Sequence, residues 1–189
     1  VLGYVFPALK KLKRIKSSTL RKNKMNPVFY EKTKDGEVFY DVSSRLIKDR
    51  VIFLSEPVTE DNAGVISSLL FMLNNESKED KISLWINTFG GDAYAFSAIY
   101  DMIQIIQAPV ETVCIGKAMS AGCLLMASGT KGMRLATPNS KFMMHQMQVS
   151  EPASDITSFE VEFNHSKAMN EALMKIFANH TGQPFEKVM

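Results

Sequence analysis

From Arg50 onward, apolar positions alternate between short runs and longer stripes at helical spacing. Residues 50–54 (RVIFL) form a short apolar run and read as a buried strand. Thr59, Glu60 and Asp61 offer a helix start, after which Val65, Ile66, Leu69, Leu70, Met72 and Leu73 keep helical spacing. Residues 82–86 (ISLWI) read as a second strand, ended by a turn from Asn87 to Asp92 that holds Gly90 and Gly91. Phe96, Ile99, Tyr100, Ile103 and Ile106 trace one face of the next helix, which Pro109 stops. Residues 110–115 read as a third strand, Gly116 as a turn, and 120–128 as a short apolar helix. Gly129 to Gly132 turn the chain, and short strands at 133–136 and 141–145 flank Pro138 and Asn139. Ile156, Phe159, Phe163, Met169, Leu173 and Phe177 mark a long amphipathic helix ending near His180, Thr181 and Gly182. Strand alternating with helix predicts an α/β fold, a mainly parallel sheet with helices on its faces.

Chemistry on such sheets gathers where strands end and helices begin. Here those junctions are Gly90-Gly91 and the stretch from Gly116 to Gly122. Ser120 falls at the first positions of a helix, between small residues. Unpaired amides and the positive end of the helix dipole gather at that point. A serine oxygen there is suited to attack a carbonyl while neighbouring amides receive the oxyanion. Taken alone, the same serine also reads as an ordinary N-cap. Gly90 and Gly91 allow positive φ and close approach of a ligand backbone, or simply a strand–helix turn. His145 closes an apolar strand, either as a satisfied core residue or as a general base for Ser120.

Composition adds limits. The chain has 189 residues, enough for one domain with a substantial core. No apolar run approaches the ~20 residues needed to span a bilayer. Cys114 and Cys123 both sit in apolar stretches and read as reduced core residues, not as a disulfide or metal framework. The net charge of +2 hides an asymmetry, since residues 1–24 carry eight Lys/Arg and no acid. The remainder is mildly acidic and has no nucleic-acid footprint. The basic segment reads as an upstream extension, a processed targeting or pro-segment, or a basic arm.

Several strings resemble one family together. They are RLIKDRVIFL, WINTFGGDAYAFSAIYDMIQ, GKAMSAGCLLMASGTKGMR, TPNSKFMMHQ and MNEALMKIFANHTGQPFEKV. They are similar to the proteolytic subunit of the Clp protease, and the resemblance covers all but residues 1–24. It implies a crotonase-like fold of repeated β-β-α units, with a long protruding helix (residues 154–179) for ring–ring contact. It divides the chain into a basic extension (1–24), an N-terminal pore hairpin (25–45) and a peptidase domain (46–189) truncated at its C-terminus. It implies a serine endopeptidase with Ser120 as nucleophile, His145 as base, and the Gly91 and Ala121 amides as oxyanion hole. It calls for no cofactor and no metal. The partners it implies are copies of the chain in two stacked heptameric rings, an AAA+ unfoldase of the ClpX, ClpA or ClpC type, and unfolded polypeptides, without nucleic acid or membrane. Phe71, Trp85 and Ile105 match positions near the unfoldase docking clefts, or are simple core residues. The implied location is the cytoplasm or an organelle stroma.

The chain also departs from the family pattern. The third triad residue, an aspartate, would fall near position 191, so the sequence is read as a fragment, or else as an impaired subunit of mixed rings. Asp155 and Glu186 are conceivable substitutes that do not match the motif. Lys117 stands where glutamine is common, which raises a Ser–Lys dyad as an alternative. Met and Ala are exchanged around Ser120, Phe89 and Met147 replace prolines, and residues 148–154 lack a glycine-rich string. A crotonase-like acyl-CoA enzyme is the remaining alternative, although it needs neither Ser120 nor His145.

Overall fold

The computed structural model describes residues 27–34, 36–148 and 155–189, so the basic extension lies outside the described residues. The chain forms two compact units, Val1–Val51 and Ile52–Met189. In the first, strands β1 (Phe29–Thr33) and β2 (Gly36–Tyr40) pair antiparallel in a hairpin, from Phe29↔Tyr40 to Thr33↔Gly36. Helix α1 (Val42–Lys48) follows, capped by the Asp41 carboxylate, which accepts from the Ser44 amide at 2.7 Å. Lys48 donates to Glu31 at 2.6 Å, and Arg45 meets Glu31 at 3.0 Å and Asp49 at 2.6 Å. The Lys48 hydrogen bond, with the charge of Arg45 behind it, holds the Glu31 carboxyl below the usual carboxylate range.

The second unit alternates strand and helix as the pattern requires. Its elements are β3 (Val51–Leu54), α2 (Glu60–Glu76), β4 (Ile82–Thr88), α3 (Ala93–Ile105), β5 (Val110–Met119) and α4 (Ala121–Ser128). They continue with β6 (Arg134–Ala136), β7 (Lys141–Met143), α5 (Ile156–Thr181) and α6 (Phe185–Val188). The strands order β3-β4-β5-β6, with β7 also pairing β5. β4, β6 and β7 all run parallel to β5.

Local chemistry explains the helix starts. Thr59 builds a reciprocal capping box with Asn62, each side chain accepting from the other's backbone amide. Asp92 caps α3 by accepting from the Ala95 amide at 2.8 Å. Both caps carry their helices away from strand ends.

Strand β5 is longer than the sequence suggests. It continues through Gly116 to Met119, and Gly116 is not a turn but part of an irregularity in the strand. The pairing shifts register between Ile86↔Cys114 and Thr88↔Ala118. Two extra residues on β5 are absorbed there, and Gly116 takes φ 78°, which a side chain would resist. This bulge lets one strand carry two partners in succession. β6 lies along Thr112–Cys114 and β7 along Lys117–Met119. The last strand is shorter than expected, ending at Met143 before His145.

Helix α4 is buried on every side, from Ala121 to Ser128. A helix apolar all round belongs in a core. Gly122 allows its close approach to β4, since a Cβ there would meet Thr88 Cγ2 at 2.6 Å. Leu124 and Leu125, with Phe96, Ile99, Leu84 and Ile86, are the largest fully buried side chains around it. Each contributes roughly 1.5–3 kcal/mol by leaving water. The stripe read along α5 divides in two. Leu173, Met174 and Ala178 are buried, whereas Ile156, Phe159, Val161 and Phe163 face solvent.

Candidate active site

Met119 ends β5 and Ala121 begins α4, leaving Ser120 alone at the junction. Its backbone takes φ 51° and ψ −121°, a conformation a non-glycine residue rarely adopts. Strain of this kind costs about 1–3 kcal/mol and persists only where the surroundings enforce it. Here the enforcement is visible. The Ser120 amide donates to the Met143 carbonyl at 2.7 Å, and its carbonyl accepts from the Cys123 and Leu124 amides. The side chain makes no capping bond, so Ser120 is not the ordinary N-cap that the sequence alone allows. Its hydroxyl has no hydrogen-bond partner among the described residues and sits on a sharp strand-to-helix turn.

The glycine loop after β4 presses against this turn. A Cβ on Gly90 would lie 2.7 Å from the Met119 carbonyl oxygen, 2.8 Å from Ser120 Cβ and 3.0 Å from the Ala121 nitrogen. Gly90 therefore has to be glycine for packing as well as for its φ of 97°. Thr88 fixes the loop from beneath. Its hydroxyl donates to the Glu56 carbonyl at 2.7 Å and accepts from the Gly90 amide at 3.1 Å. Gly91 is bridged to Val58, whose amide donates to the Gly90 carbonyl at 2.8 Å while its carbonyl accepts from the Asp92 amide at 2.9 Å. The amides of Gly91 and Ala121 have no acceptor among the described residues. Two such donors thus lie on the two segments that meet at Ser120, and donors of this kind can serve as an oxyanion hole.

His145 reaches the same end of the sheet by another strand. Met119 and Met143 are register partners on parallel β5 and β7, so Ser120 and His145 leave neighbouring strands in the same direction. Two residues beyond His145, the Met147 amide donates to Asn170 Oδ1 on α5 at 2.8 Å. The half-buried histidine is therefore held on both sides, by the β5–β7 pairing before it and by α5 after it. Its ring and the Ser120 hydroxyl make no hydrogen bond among the described residues. Catalytic pairs often tighten only when substrate arrives.

Other candidates are drawn elsewhere. The Lys117 ammonium lies over the Phe89 ring, 4.0 Å from its centroid, and not on the serine hydroxyl that a Ser–Lys dyad would need. The Cys123 thiol is buried and pushed up to about 11, chiefly by desolvation and then by Cys114. Such a thiol stays protonated and is a poor nucleophile. Asp155 caps α5, accepting from the Ser158 amide at 2.9 Å and hydroxyl at 2.8 Å. Glu186 is exposed on α6. Phe71 and Ile105 are 52% and 70% exposed, so they are surface residues and not core. Trp85 is half-buried and stacks on Phe53 with ring centroids 5.5 Å apart. The Phe89–Lys117 contact is not legible along the chain, because register alone brings the two residues together. Among the described residues there is no cluster of metal-ligating side chains, and no helix is long and apolar enough to cross a membrane.

Comparison with known proteins points to one family. The Clp protease family model matches residues 34–189. A relative in Deinococcus radiodurans, an ATP-dependent Clp protease proteolytic subunit, is 40% identical over 163 residues. The match spans 86% of this chain and 79% of that protein.

Proposed function

This chain belongs to the Clp protease family, and from that premise we propose that Ser120 is its nucleophile and His145 its general base. It is a serine-type peptidase subunit of a Clp proteolytic system. The observation that carries the assignment is the strained Ser120 turn, with Gly90 packed against its Cβ. In the proposed reaction the hydroxyl attacks a peptide carbonyl as His145 takes its proton. The amides of Gly91 and Ala121 receive the developing oxyanion, where losing one donor typically costs on the order of 10²–10³ in rate. His145 then returns the proton to the departing amine, and water releases the acyl group by the reverse sequence.

The finer assembly is part of the same proposal. Two heptameric rings stack through the exposed first half of α5, enclosing the sites. An AAA+ unfoldase docks near Phe71, Trp85 and Ile105 and feeds unfolded chains inward. The exposed side chains of Phe71 and Ile105, with Trp85 half-buried, support a contact surface.

The test is chemical. The purified protein is expected to cleave a fluorogenic peptide and to be labelled by a fluorophosphonate on Ser120. Ser120→Ala is expected to lose both signals. Cleavage that survives in Ser120→Ala rejects the nucleophile assignment.

A further inference from the structure

Phe89 is 70% exposed. It immediately precedes Gly90, the residue packed on Ser120. Because Thr88 pairs with Ala118, Phe89 falls diagonally beside Lys117 on β5, and the ammonium settles 4.0 Å over its ring. The ring thus holds a long, flexible side chain in one place, three residues before Ser120. On its other side Lys117 is in register with Lys141 of β7. Register partners on parallel strands present side chains to the same face. Neither lysine has a carboxylate partner among the described residues. Two like charges side by side on adjacent strands repel each other. An anion between them would relieve that repulsion.

We propose that Lys117, braced by Phe89 and flanked by Lys141, forms an acid-selecting subsite, so that peptides with Asp or Glu near the scissile bond are cleaved preferentially. The proposal rests on the peptidase reading above, with Ser120 as nucleophile. The carboxylate of the substrate would pair with the Lys117 ammonium at the rim of the glycine loop. The Phe89 ring would pack along the peptide and keep the lysine from folding away into solvent. A partly exposed pair of this kind changes binding by about fivefold at low salt.

The experiment uses matched fluorogenic peptides that differ only in Glu or Gln at one position. The position is moved in turn from three residues before to three residues after the scissile bond. With the assembled wild-type protein, at least one position should show a Glu-to-Gln ratio in kcat/KM of about fivefold. The ratio should fall towards one as salt screens the pair, and the change should lie mainly in KM. Lys117→Gln should bring the ratio to one, whereas Lys117→Arg, which keeps both charge and ring contact, should retain it. A wild-type ratio of one at every position overturns the proposal. So does a ratio that Lys117→Gln leaves unaltered, or one that is insensitive to salt. The salt series needs no variant, so it decides the matter even if Lys117→Gln fails to fold. Cleavage of the same peptides by Ser120→Ala would instead strike at the nucleophile assignment, which separates the two failures.

Discussion

At Ser120 the backbone itself records the demand placed on the residue. A side chain at φ 51° is strained, and glycine removes the strain. Ser120→Gly is therefore expected to be about 1 kcal/mol more stable to urea than Ser120→Ala, although both lack the hydroxyl. Equal stabilities would show that the turn carries no strain. Gly91 makes a harsher case, since a Cβ there would lie 2.1 Å from the Val58 carbonyl oxygen. Gly91→Ala should force the loop off Val58, lowering the melting temperature and abolishing peptidase activity together. His180 makes a pH prediction. Burial first, and then the charge of Arg134, lowers its pKa below the ordinary 6.5. The unfolded chain therefore binds a proton that the folded chain refuses, and stability falls as pH drops below about 6.5 towards the lowered folded value. His180→Gln should flatten that part of the stability–pH curve relative to wild type, read by urea unfolding between pH 7.5 and 5.

Elements differ in how well their causes can be read from the chain. The start of α2 is legible because Thr59 and Asn62 meet within one turn of helix. Thr59→Ala should cost about 1 kcal/mol, measured by thermal or urea unfolding. The course of β5 is less legible. Gly116 signals a break, and only the pairing with β4 shows that the break is a bulge inside a continuing strand. The close of β7 at Met143 is equally hidden, because the run KFMMH stays apolar past the point where its pairing ends. The serine, the glycines and the histidine stand out by residue type. Their convergence depends on which strand lies beside which, and that is a long-range property. Helix α5 shows the same limit, since its apolar stripe is continuous in sequence and only the fold shows which half the core covers. The Tyr94 hydroxyl shares a hydrogen bond with His165 Nε2 at 2.6 Å, and the two rings stack. That contact ties the middle of α5 to the start of α3. Tyr94→Phe should therefore increase amide exchange in the first half of α5 while leaving its buried end protected.

For the molecule as a whole, the sheet collects its chemistry at one end of its strands by letting a single strand serve two short neighbours. The glycine loop, the serine turn and the segment bearing the histidine all issue from the same end of β4, β5 and β7. The bare half of α5 lies outside that economy. A protomer that keeps Ile156, Phe159, Val161 and Phe163 wet forgoes the free energy their burial would supply. If copies of the chain cover these groups, folding is linked to association by mass action. The melting temperature should then climb as the sample is concentrated. Dilution alone, with no change of pH or denaturant, should loosen the helix.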